Sequence, residues 1–201
     1  MKEFVFECEN PCFISGWFID ESICDGVIDF YQEDNYFPVT PGLSSSGQVN
    51  TNQKESLDKS ISHITKDQRL VNYFDALSEV VKLYTEKYIW CDITESWSIV
   101  ENVNIQWYPP NGGFKVFHFE RNGKLVSMNR HLVFMTYLND VAEGGGTEFA
   151  HQREVRGTTA LKAEKGLTVI WPADWTHTHR GIVAPNEEKI IATGWLHLTE
   201  K

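Results

Sequence analysis

The segment His179–Trp195, HRGIVAPNEEKIIATGW, contains two short apolar runs that are separated by a polar turn with a Pro-Asn pair. This pattern predicts a strand at 177–183, a turn, and a second strand at 188–197. Successive side chains of a strand point to opposite faces, so one face of the second strand carries alternate residues: Lys189, Ile191, Thr193 and Trp195. A lysine on an inward face is costly to bury without a negative charge. The segment therefore predicts either an acidic ligand beside Lys189 or an edge lysine whose ammonium reaches water along its own stem.

Further runs upstream of this segment have the same character. They are short, apolar or alternating, and separated by Gly, Pro and Asn turn signals. The predicted strands are 97–107, 114–120, 130–138, 147–149, 158–162 and 167–171. Strands at this spacing indicate an all-β sandwich or barrel.

Two amphipathic helices are predicted before these strands begin. Asp20 can cap a short helix whose apolar face runs from Ile23 to Tyr31. The stretch Thr65-Lys-Asp-Gln68 resembles a capping box, and apolar residues recur behind it with helical period over 66–89. We expect both helices to pack on the outside of the β structure.

The size and charge of the chain restrict its domain organisation and its partners. A chain of 201 residues with 41% apolar residues forms one domain, 1–201, in which 1–95 is a helical and loop support and 96–201 is the β core. The Gly-, Ser- and Asn-rich stretch 40–54 is either a lid over a binding site or disordered. The net charge of −10 disfavours nucleic acid as a partner, because gripping its phosphates requires Lys and Arg.

Four cysteines are present: Cys8, Cys12, Cys24 and Cys91. Their spacing has no zinc-ribbon counterpart downstream, so we expect buried or free thiols in a reducing compartment. The N-terminal residues lack the apolar core of a signal peptide, and no run of about 18 apolar residues is present to span a membrane. The expected location is cytoplasmic, without a membrane partner.

Two pairs of polar residues could converge on a metal ion. His118 and Glu120 lie two residues apart in a predicted strand and would share one face, as would His177 and His179. Two imidazoles and one carboxylate are the facial triad of non-haem Fe(II) oxygenases, which leaves three positions open for other ligands. The alternative is that these residues are unrelated polar side chains on the faces of a sheet.

Five motifs, in order over about Asn104 to Leu196, resemble the prolyl 4-hydroxylase-like branch of the Fe(II)/2-oxoglutarate-dependent dioxygenases. They begin with the Tyr-Pro-Pro-Asn-Gly-Gly segment that leads into the first iron ligands. A strand ending in Tyr-Leu-Asn, a Gly-rich hairpin, the strand before the distal ligand, and a segment with the distal His, a Lys and a Trp follow it. The motifs are 108–120, 130–140, 143–149, 165–172 and 179–196.

The resemblance implies a mainly β fold with flanking helices, built on a double-stranded β-helix (a jelly roll, or cupin-like core). It implies His118, Glu120 and His179 as the metal ligands and catalytic residues. His179 is preferred to His177 because Lys189 follows it by ten residues, as in the family (189 − 179 = 10). The family usually has Asp where this chain has Glu120; the longer side chain keeps the charge and the oxygen donor.

The same resemblance implies residues that bind the cosubstrate. Lys189 would pair with the distal carboxylate of 2-oxoglutarate, Tyr108 would hydrogen-bond the same group, and Tyr137 would help to line that pocket. Arg130 is expected to be structural. The implied cofactor is Fe(II) with 2-oxoglutarate as cosubstrate and O2 as oxidant, and ascorbate is a further candidate.

The implied reaction is the hydroxylation of a C–H bond at a prolyl residue of a peptide or protein. Two alternatives remain at this stage. One is the same chemistry on a free amino acid or another small molecule, and the other is a non-catalytic, cupin-like metal-binding module.

Overall fold

The long C-terminal strand runs through the middle of a large antiparallel sheet in the computed structural model, which describes residues 1–6, 13–44, 46–92, 96–152 and 157–199. The helices are α1 (Glu21–Glu33) and α2 (Gln68–Lys87). The strands are β1 (Lys2–Phe4), β2 (Ser15–Phe18), β3 (Val39–Pro41), β4 (Lys54–Glu55), β5 (Leu57–Ile61), β6 (Ser96–Ile99), β7 (Val103–Tyr108), β8 (Gly113–Phe114), β9 (Arg130–Tyr137), β10 (Thr147–Ala150), β11 (Thr158–Leu161), β12 (Leu167–Pro172), β13 (His179–Gly181) and β14 (Lys189–Thr199).

Three sheets contain these strands. The large sheet has the order β1-β2-β12-β9-β14-β7-β5-β3, and β6 pairs with the far end of β14. A second sheet has the order β11-β10-β13, and β4 pairs with β8 alone. All of the pairings are antiparallel, and β14 has β7 on one side and β9 on the other. This arrangement agrees with the mainly β jelly roll with flanking helices that the sequence resemblance implies.

The two helices cover one face of the large sheet. Their buried residues, among them Val27, Leu70 and Val80, pack with Ile105 and Phe134 from the sheet in one apolar cluster. The periodic apolar face of each helix explains this placement, since a helix in water is stabilised mainly by burying such a face.

The opposite face of the large sheet looks toward the second sheet and carries a separate apolar cluster. Val133 and Met135 of β9 belong to it, whereas Leu132 and Phe134 of the same strand face the helices. Burial on both faces explains why β9 reads as a continuous apolar run instead of an alternating one. The second cluster forms the floor of the cavity described below.

Some predicted boundaries differ from the observed ones. The helix α1 begins after Asp20 as expected, and the Asp20 carboxylate accepts a hydrogen bond from the Ser22 amide. The helix α2 is capped by Asp67, which accepts from the Arg69 amide at 3.0 Å, and not by Thr65. The Thr65 hydroxyl instead accepts from the Asp67 amide, so the capping-box prediction was two residues early.

The predicted strands also need correction at three places. The run 97–107 is two strands, β6 and β7, and 177–183 contains only the short strand β13, preceded by a 3₁₀ turn at Trp175–His177. The run 114–120 is not a regular strand beyond Phe114. Residues 1–95, expected to be helical and loop support, contribute strands β1 to β5. Four of these belong to the large sheet, where β1 and β3 are the two edge strands and β2 and β5 lie next to them.

Neither α1 nor α2 has the length and apolar composition that crossing a bilayer requires, in the portion of the chain described. Cys24 and Cys91 are both free thiols, as predicted. Cys8 and Cys12 lie outside the described residues.

The packing of α2 on the sheet gives a stability prediction. Leu70 is fully buried in the helix-side cluster, so Leu70→Ala should lower the free energy of unfolding by about 2–5 kcal/mol through lost burial and a residual cavity. Urea unfolding followed by circular dichroism measures the change. Leu125→Ala is the matched control because Leu125 is 90% exposed, and it should change the free energy by less than about 0.5 kcal/mol. Equal effects of the two changes would contradict the described packing.

Candidate metal centre

Two backbone hydrogen bonds hold His118 beside His179. The His118 amide donates to the His179 carbonyl and the His179 amide donates to the His118 carbonyl, both at 2.9 Å. This isolated antiparallel bridge joins the segment after β8 to β13 of the second sheet. It places the two imidazole rings with their centroids 4.5 Å apart, although the residues are 61 positions apart in sequence (179 − 118 = 61).

Each of these imidazoles is oriented by a carbonyl two residues before it. Nδ1 of His118 lies 2.9 Å from the Val116 carbonyl oxygen, and Nδ1 of His179 lies 2.8 Å from the His177 carbonyl oxygen. A carbonyl can only accept a hydrogen bond, so Nδ1 is assigned the proton in both rings. The lone pair of Nε2 is then available to a metal ion, as in histidine sites whose other nitrogen is fixed by a hydrogen bond.

The Glu120 carboxylate completes the group. Its Oε1 atom lies 3.4 Å from Nε2 of His118 and 3.5 Å from Nε2 of His179. The backbone around Glu120 is fixed because the amides of Glu120 and Arg121 both donate to the Ala173 carbonyl, at 3.1 and 2.9 Å. The side chains of His118 and Glu120 therefore converge as predicted, but a single bridge and a shared carbonyl achieve this, and not a regular strand.

The second carboxylate oxygen of Glu120 points away from the histidines. Its Oε2 atom accepts hydrogen bonds from Nη1 of Arg130 at 3.2 Å and from Nε1 of Trp195 at 3.0 Å. The two oxygens of one carboxylate thus have different partners.

The three donor atoms fit a divalent metal ion. One ligand atom from each of His118, Glu120 and His179 lies within 4.8 Å of the others. Metal–ligand bonds of about 2.1 Å at right angles place two ligand atoms about 3 Å apart, close to the observed separations. Two imidazole nitrogens and a carboxylate oxygen on one face are the donor set of non-haem Fe(II) sites.

The ionisation of these groups also suits metal binding. Burial by itself raises the pKa of the Glu120 carboxyl, but the adjacent His118 and His179 outweigh it and hold that pKa well below its usual range. Burial, with the neighbouring His118, lowers the pKa of the His179 imidazole. Both directions favour the forms that bind metals, the carboxylate and the neutral imidazole.

Aromatic rings enclose the histidines on the side away from Glu120. The Phe114 ring stacks on His118 with centroids 3.7 Å apart and planes at 14°. Phe149 and Trp171 lie against His179, with centroid distances of 5.6 and 5.1 Å. These contacts restrict the rotamers of both imidazoles and exclude water from their flanks.

A cavity of about 510 Å³ opens from the three donor atoms between the two sheets. One face of β14 contributes Lys189, Ile191, Thr193 and Trp195 to its wall, the four alternate residues expected from the sequence. Lys189 is 4% exposed, and burial lowers the pKa of its ammonium to about 8. No carboxylate among the described side chains forms an ion pair with it, so a buried cation faces the cavity without a counter-charge.

Tyr108 lies beside Lys189 because the two residues are direct partners in the pairing of β7 with β14. Nζ of Lys189 is 4.7 Å from the centroid of the Tyr108 ring, and the Tyr108 hydroxyl donates to Oε1 of Gln106 at 2.6 Å. Burial, with Asp58 and Glu120, raises the pKa of the Tyr108 phenol well above its usual range, so the hydroxyl stays a hydrogen-bond donor.

Two other predicted residues lie outside this wall. Tyr137 is fully buried behind it, and its hydroxyl hydrogen-bonds at 2.7 Å with Oγ1 of Thr147, which does line the cavity. His177 is in the 3₁₀ turn before β13, and its ring is not in the three-residue donor group. The expectation that His177 and His179 share one strand face was wrong, because the strand begins only at His179.

Several residues that line the cavity were not predicted from the sequence. Lys54 and Asp58 form an ion pair at 2.6 Å in the wall, and Gln106 lies between Asp58 and Tyr108. Gln106 shares a face of β7 with Tyr108, so the period-2 alternation could have identified it. The place of the ion pair in the cavity wall could not be found in this way, because it depends on the pairing of β4 with β8 and of β5 with β7.

The stretch 40–54 contributes to the same cavity. Thr40, Pro41, Leu43 and Ser44 line it, as does Gly47. This stretch includes the end of β3 and a bridge between Leu43 and Val49, so it has local structure and borders the cavity mouth.

Comparison with solved structures supports the fold. A Pseudomonas putida prolyl-4-hydroxylase superimposes with a TM-score of 0.69 at 12% identity, over 94% of this chain and 95% of that one. A Trichoplax adhaerens prolyl hydroxylase was solved with a hypoxia inducible factor oxygen degradation domain peptide fragment. It superimposes with a TM-score of 0.72 at 14% identity, over 94% of this chain and 84% of that one. A viral collagen prolyl hydroxylase from Paramecium Bursaria Chlorella virus-1, solved as a 2OG complex, superimposes with a TM-score of 0.64 at 16% identity. The match covers 94% of this chain and 100% of that one.

These likenesses confirm the double-stranded β-helix fold and, at such low identity, the fold alone. No curated protein matches the chain in sequence. A sequence profile described as the 2OG-Fe(II) oxygenase superfamily matches residues 103–197, the range that contains the three donor residues and Lys189. This match covers just under half of the chain, 95 of its 201 residues (197 − 103 + 1 = 95), and supports a 2-oxoglutarate-dependent dioxygenase of the 2OG-Fe(II) oxygenase type.

Proposed function

We propose that the protein hydroxylates a prolyl residue of a peptide or protein substrate, with Fe(II) held by His118, Glu120 and His179. The observation that carries the proposal is the presence, in one cavity, of this donor set and of the uncompensated buried cation Lys189. Iron bound there would supply the redox chemistry by which one O2 molecule oxidises 2-oxoglutarate to succinate and CO2 with one oxygen atom and hydroxylates a C–H bond with the other.

The residues of the chain orient and shield this chemistry. The bridge between His118 and His179 and the hydrogen bonds to their Nδ1 atoms fix the direction of both Nε2 lone pairs. Phe114 and Trp171 keep water away from the imidazoles. Such pre-arranged ligands need little reorganisation when the metal and cosubstrate bind.

Lys189 would bind the distal carboxylate of 2-oxoglutarate. A dicarboxylate supplies the negative charge that the buried ammonium lacks, and the Tyr108 hydroxyl can turn from Gln106 to donate a second hydrogen bond. Tyr137 would contribute indirectly, because its hydroxyl hydrogen-bonds the Thr147 hydroxyl, and Thr147 lines the cavity.

The proline preference is supported by the shape of the site and by the relatives. Leu43 and Val126 line the cavity and are 54% and 60% exposed, so they offer apolar surface that a pyrrolidine ring could contact. The three structures named above are prolyl hydroxylases by description, and one of them was solved with a peptide. The stretch 40–54 would cover the bound peptide.

A small polar molecule is the second candidate substrate. The buried Lys54–Asp58 ion pair and Gln106 give the cavity a polar wall that a free amino acid or a related compound could contact. Both candidate functions use the same metal and the same cosubstrate. They differ only in the substrate that enters the open side of the cavity, a peptide in the first and a small polar molecule in the second.

Replacing a metal ligand tests the site assignment. His179→Ala should reduce O2-dependent succinate formation by more than about 100-fold, because one of three ligands is lost. It should also remove the visible charge-transfer band of the anaerobic Fe(II)–2-oxoglutarate complex. His151→Ala is the matched control, since His151 is exposed and hydrogen-bonds Thr159 away from the cavity. Normal turnover in His179→Ala with loss of turnover in His177→Ala would reject His179 as the ligand.

The pKa of Lys189 predicts a pH dependence for cosubstrate binding. The ammonium is charged below about pH 8, so the affinity for 2-oxoglutarate should fall as the pH rises through that value, by up to about tenfold per pH unit. Calorimetric titration of the Mn(II)-loaded protein measures the affinity. Lys189→Arg should remove the pH dependence because arginine stays charged, and Lys189→Met should abolish binding. Unchanged affinity in Lys189→Met would contradict the assignment.

A substrate screen tests the choice of proline. Proline-containing peptides should stimulate succinate release and gain one oxygen atom by mass spectrometry, and the same peptides with Ala for Pro should do neither. Ascorbate, added to keep the metal ferrous, should prolong turnover. Stimulation by free amino acids, with none by any peptide, would favour the second candidate.

A further inference from the structure

We propose that Arg130 and Trp195 are positioning residues that restrict Glu120 to one metal-binding oxygen and so keep the remaining metal positions open. The inference rests on the proposed metal site of His118, Glu120 and His179. From the sequence, Arg130 was expected to be structural. The inference assigns it a specific role at the metal site.

The hydrogen bonds of Glu120 divide its carboxylate into two ends. Oε1 lies 3.4 and 3.5 Å from the two Nε2 atoms of the histidines. Oε2 accepts from Nη1 of Arg130 and from Nε1 of Trp195, at 3.2 and 3.0 Å. Two N–H donors occupy the lone pairs of Oε2, so rotation of the carboxylate toward the histidines would break both hydrogen bonds.

Arg130 is itself held in place from three directions. Its Nε and Nη2 atoms donate to the two carboxylate oxygens of Glu101, at 2.7 and 2.6 Å. The guanidinium carbon lies 3.4 Å from the centroid of the Trp195 ring, and Nη1 also lies 3.3 Å from the Glu120 carbonyl oxygen. A bidentate, stacked guanidinium has little freedom to move, so it can serve as a fixed support.

The charges of Arg130 and Glu101 balance each other, so the Glu120 carboxylate keeps its negative charge for a metal ion. An unpaired arginine would neutralise the Glu120 carboxylate, but the Arg130 charge is already matched by Glu101 in a bidentate ion pair. Arg130, Glu101 and Glu120 together keep one net negative charge. The pair therefore supplies directed hydrogen bonds while a negative charge remains for the metal ion.

The length of Glu120 explains why such a support is needed. Carboxylates bind metals through one oxygen or through both. A facial triad needs three open positions for cosubstrate and O2, and a bidentate carboxylate would occupy one of them. Glutamate has one more rotatable bond than the aspartate usual in this family, so its carboxylate has more orientations to exclude. Arg130 and Trp195 exclude the orientation in which both oxygens face the metal.

Water bound to Mn(II) reports the open positions directly. Proton relaxivity of Mn(II)-loaded protein should show inner-sphere water on the wild type, and one such water should remain after saturation with 2-oxoglutarate. In Trp195→Phe, which keeps an aromatic ring at this position and removes the indole N–H, relaxivity of the ternary complex should fall toward the outer-sphere value. The double variant Arg130→Gln/Trp195→Phe should reach that value. Trp195→Phe alone decides the test if the double variant does not fold.

Arg69→Gln is the control for the loss of an arginine, since Arg69 pairs with Asp67 and Glu33 on the helices and should leave relaxivity unchanged. Wild-type relaxivity in folded Trp195→Phe and in the double variant would overturn the inference and leave the metal site intact. Failure of the wild type to bind Mn(II) would overturn the proposed function as well. A purely structural role for Arg130 would alter thermal unfolding without changing the number of bound waters.

Discussion

The candidate site depends on two reciprocal hydrogen bonds between the backbones of His118 and His179. These two hydrogen bonds form an isolated antiparallel bridge, which is not continued into a longer strand pairing. The bridge sets the distance between the two imidazoles. A backbone bridge fixes the direction of both Cα–Cβ bonds, so the rings need only their Nδ1 hydrogen bonds to reach a metal-binding orientation. The sixty residues between them (179 − 118 − 1 = 60) contain strands β9 to β12, which belong to both the large sheet and the second sheet.

The large sheet provides the second constraint. It is buried on both faces, by the helices on one side and by the second sheet on the other. Alternation along β14 then sends Ile190 and Ala192 to the helices and sends Lys189 and Trp195 to the cavity. One strand therefore places the buried cation of Lys189 and the indole that donates a hydrogen bond to Glu120 on the same face, six residues apart (195 − 189 = 6).

The sequence predicted the features that depend on local pattern. The face of β14 and the start of α1 at Asp20 follow from periodicity and capping, and both are observed. Features that depend on tertiary pairing were not predictable in this way. The strands before residue 96 are two to five residues long and lack a clear alternation, because neighbouring strands and not their own composition fix them.

The segment with His118 and Glu120 shows the difference most clearly. A strand was predicted there, and its two side chains do converge, but the amides of Glu120 and Arg121 share one carbonyl and the ladder does not continue. Likewise, Arg130 and Trp195 meet Glu120 through the register of β9 and β14, which one sequence read alone cannot supply. The candidate donor residues could be predicted from the sequence. The residues that hydrogen-bond Glu120, namely Arg130 and Trp195, could be identified only in the structure.

A crystal structure of the protein with Mn(II) and 2-oxoglutarate, obtained without O2, would locate the metal ion and the cosubstrate together. We expect one anomalous scattering peak bonded to Nε2 of His118, Oε1 of Glu120 and Nε2 of His179. We also expect the distal carboxylate of 2-oxoglutarate at Nζ of Lys189. A metal peak away from these three atoms, or a 2-oxoglutarate molecule that does not contact Lys189, would contradict the proposed site.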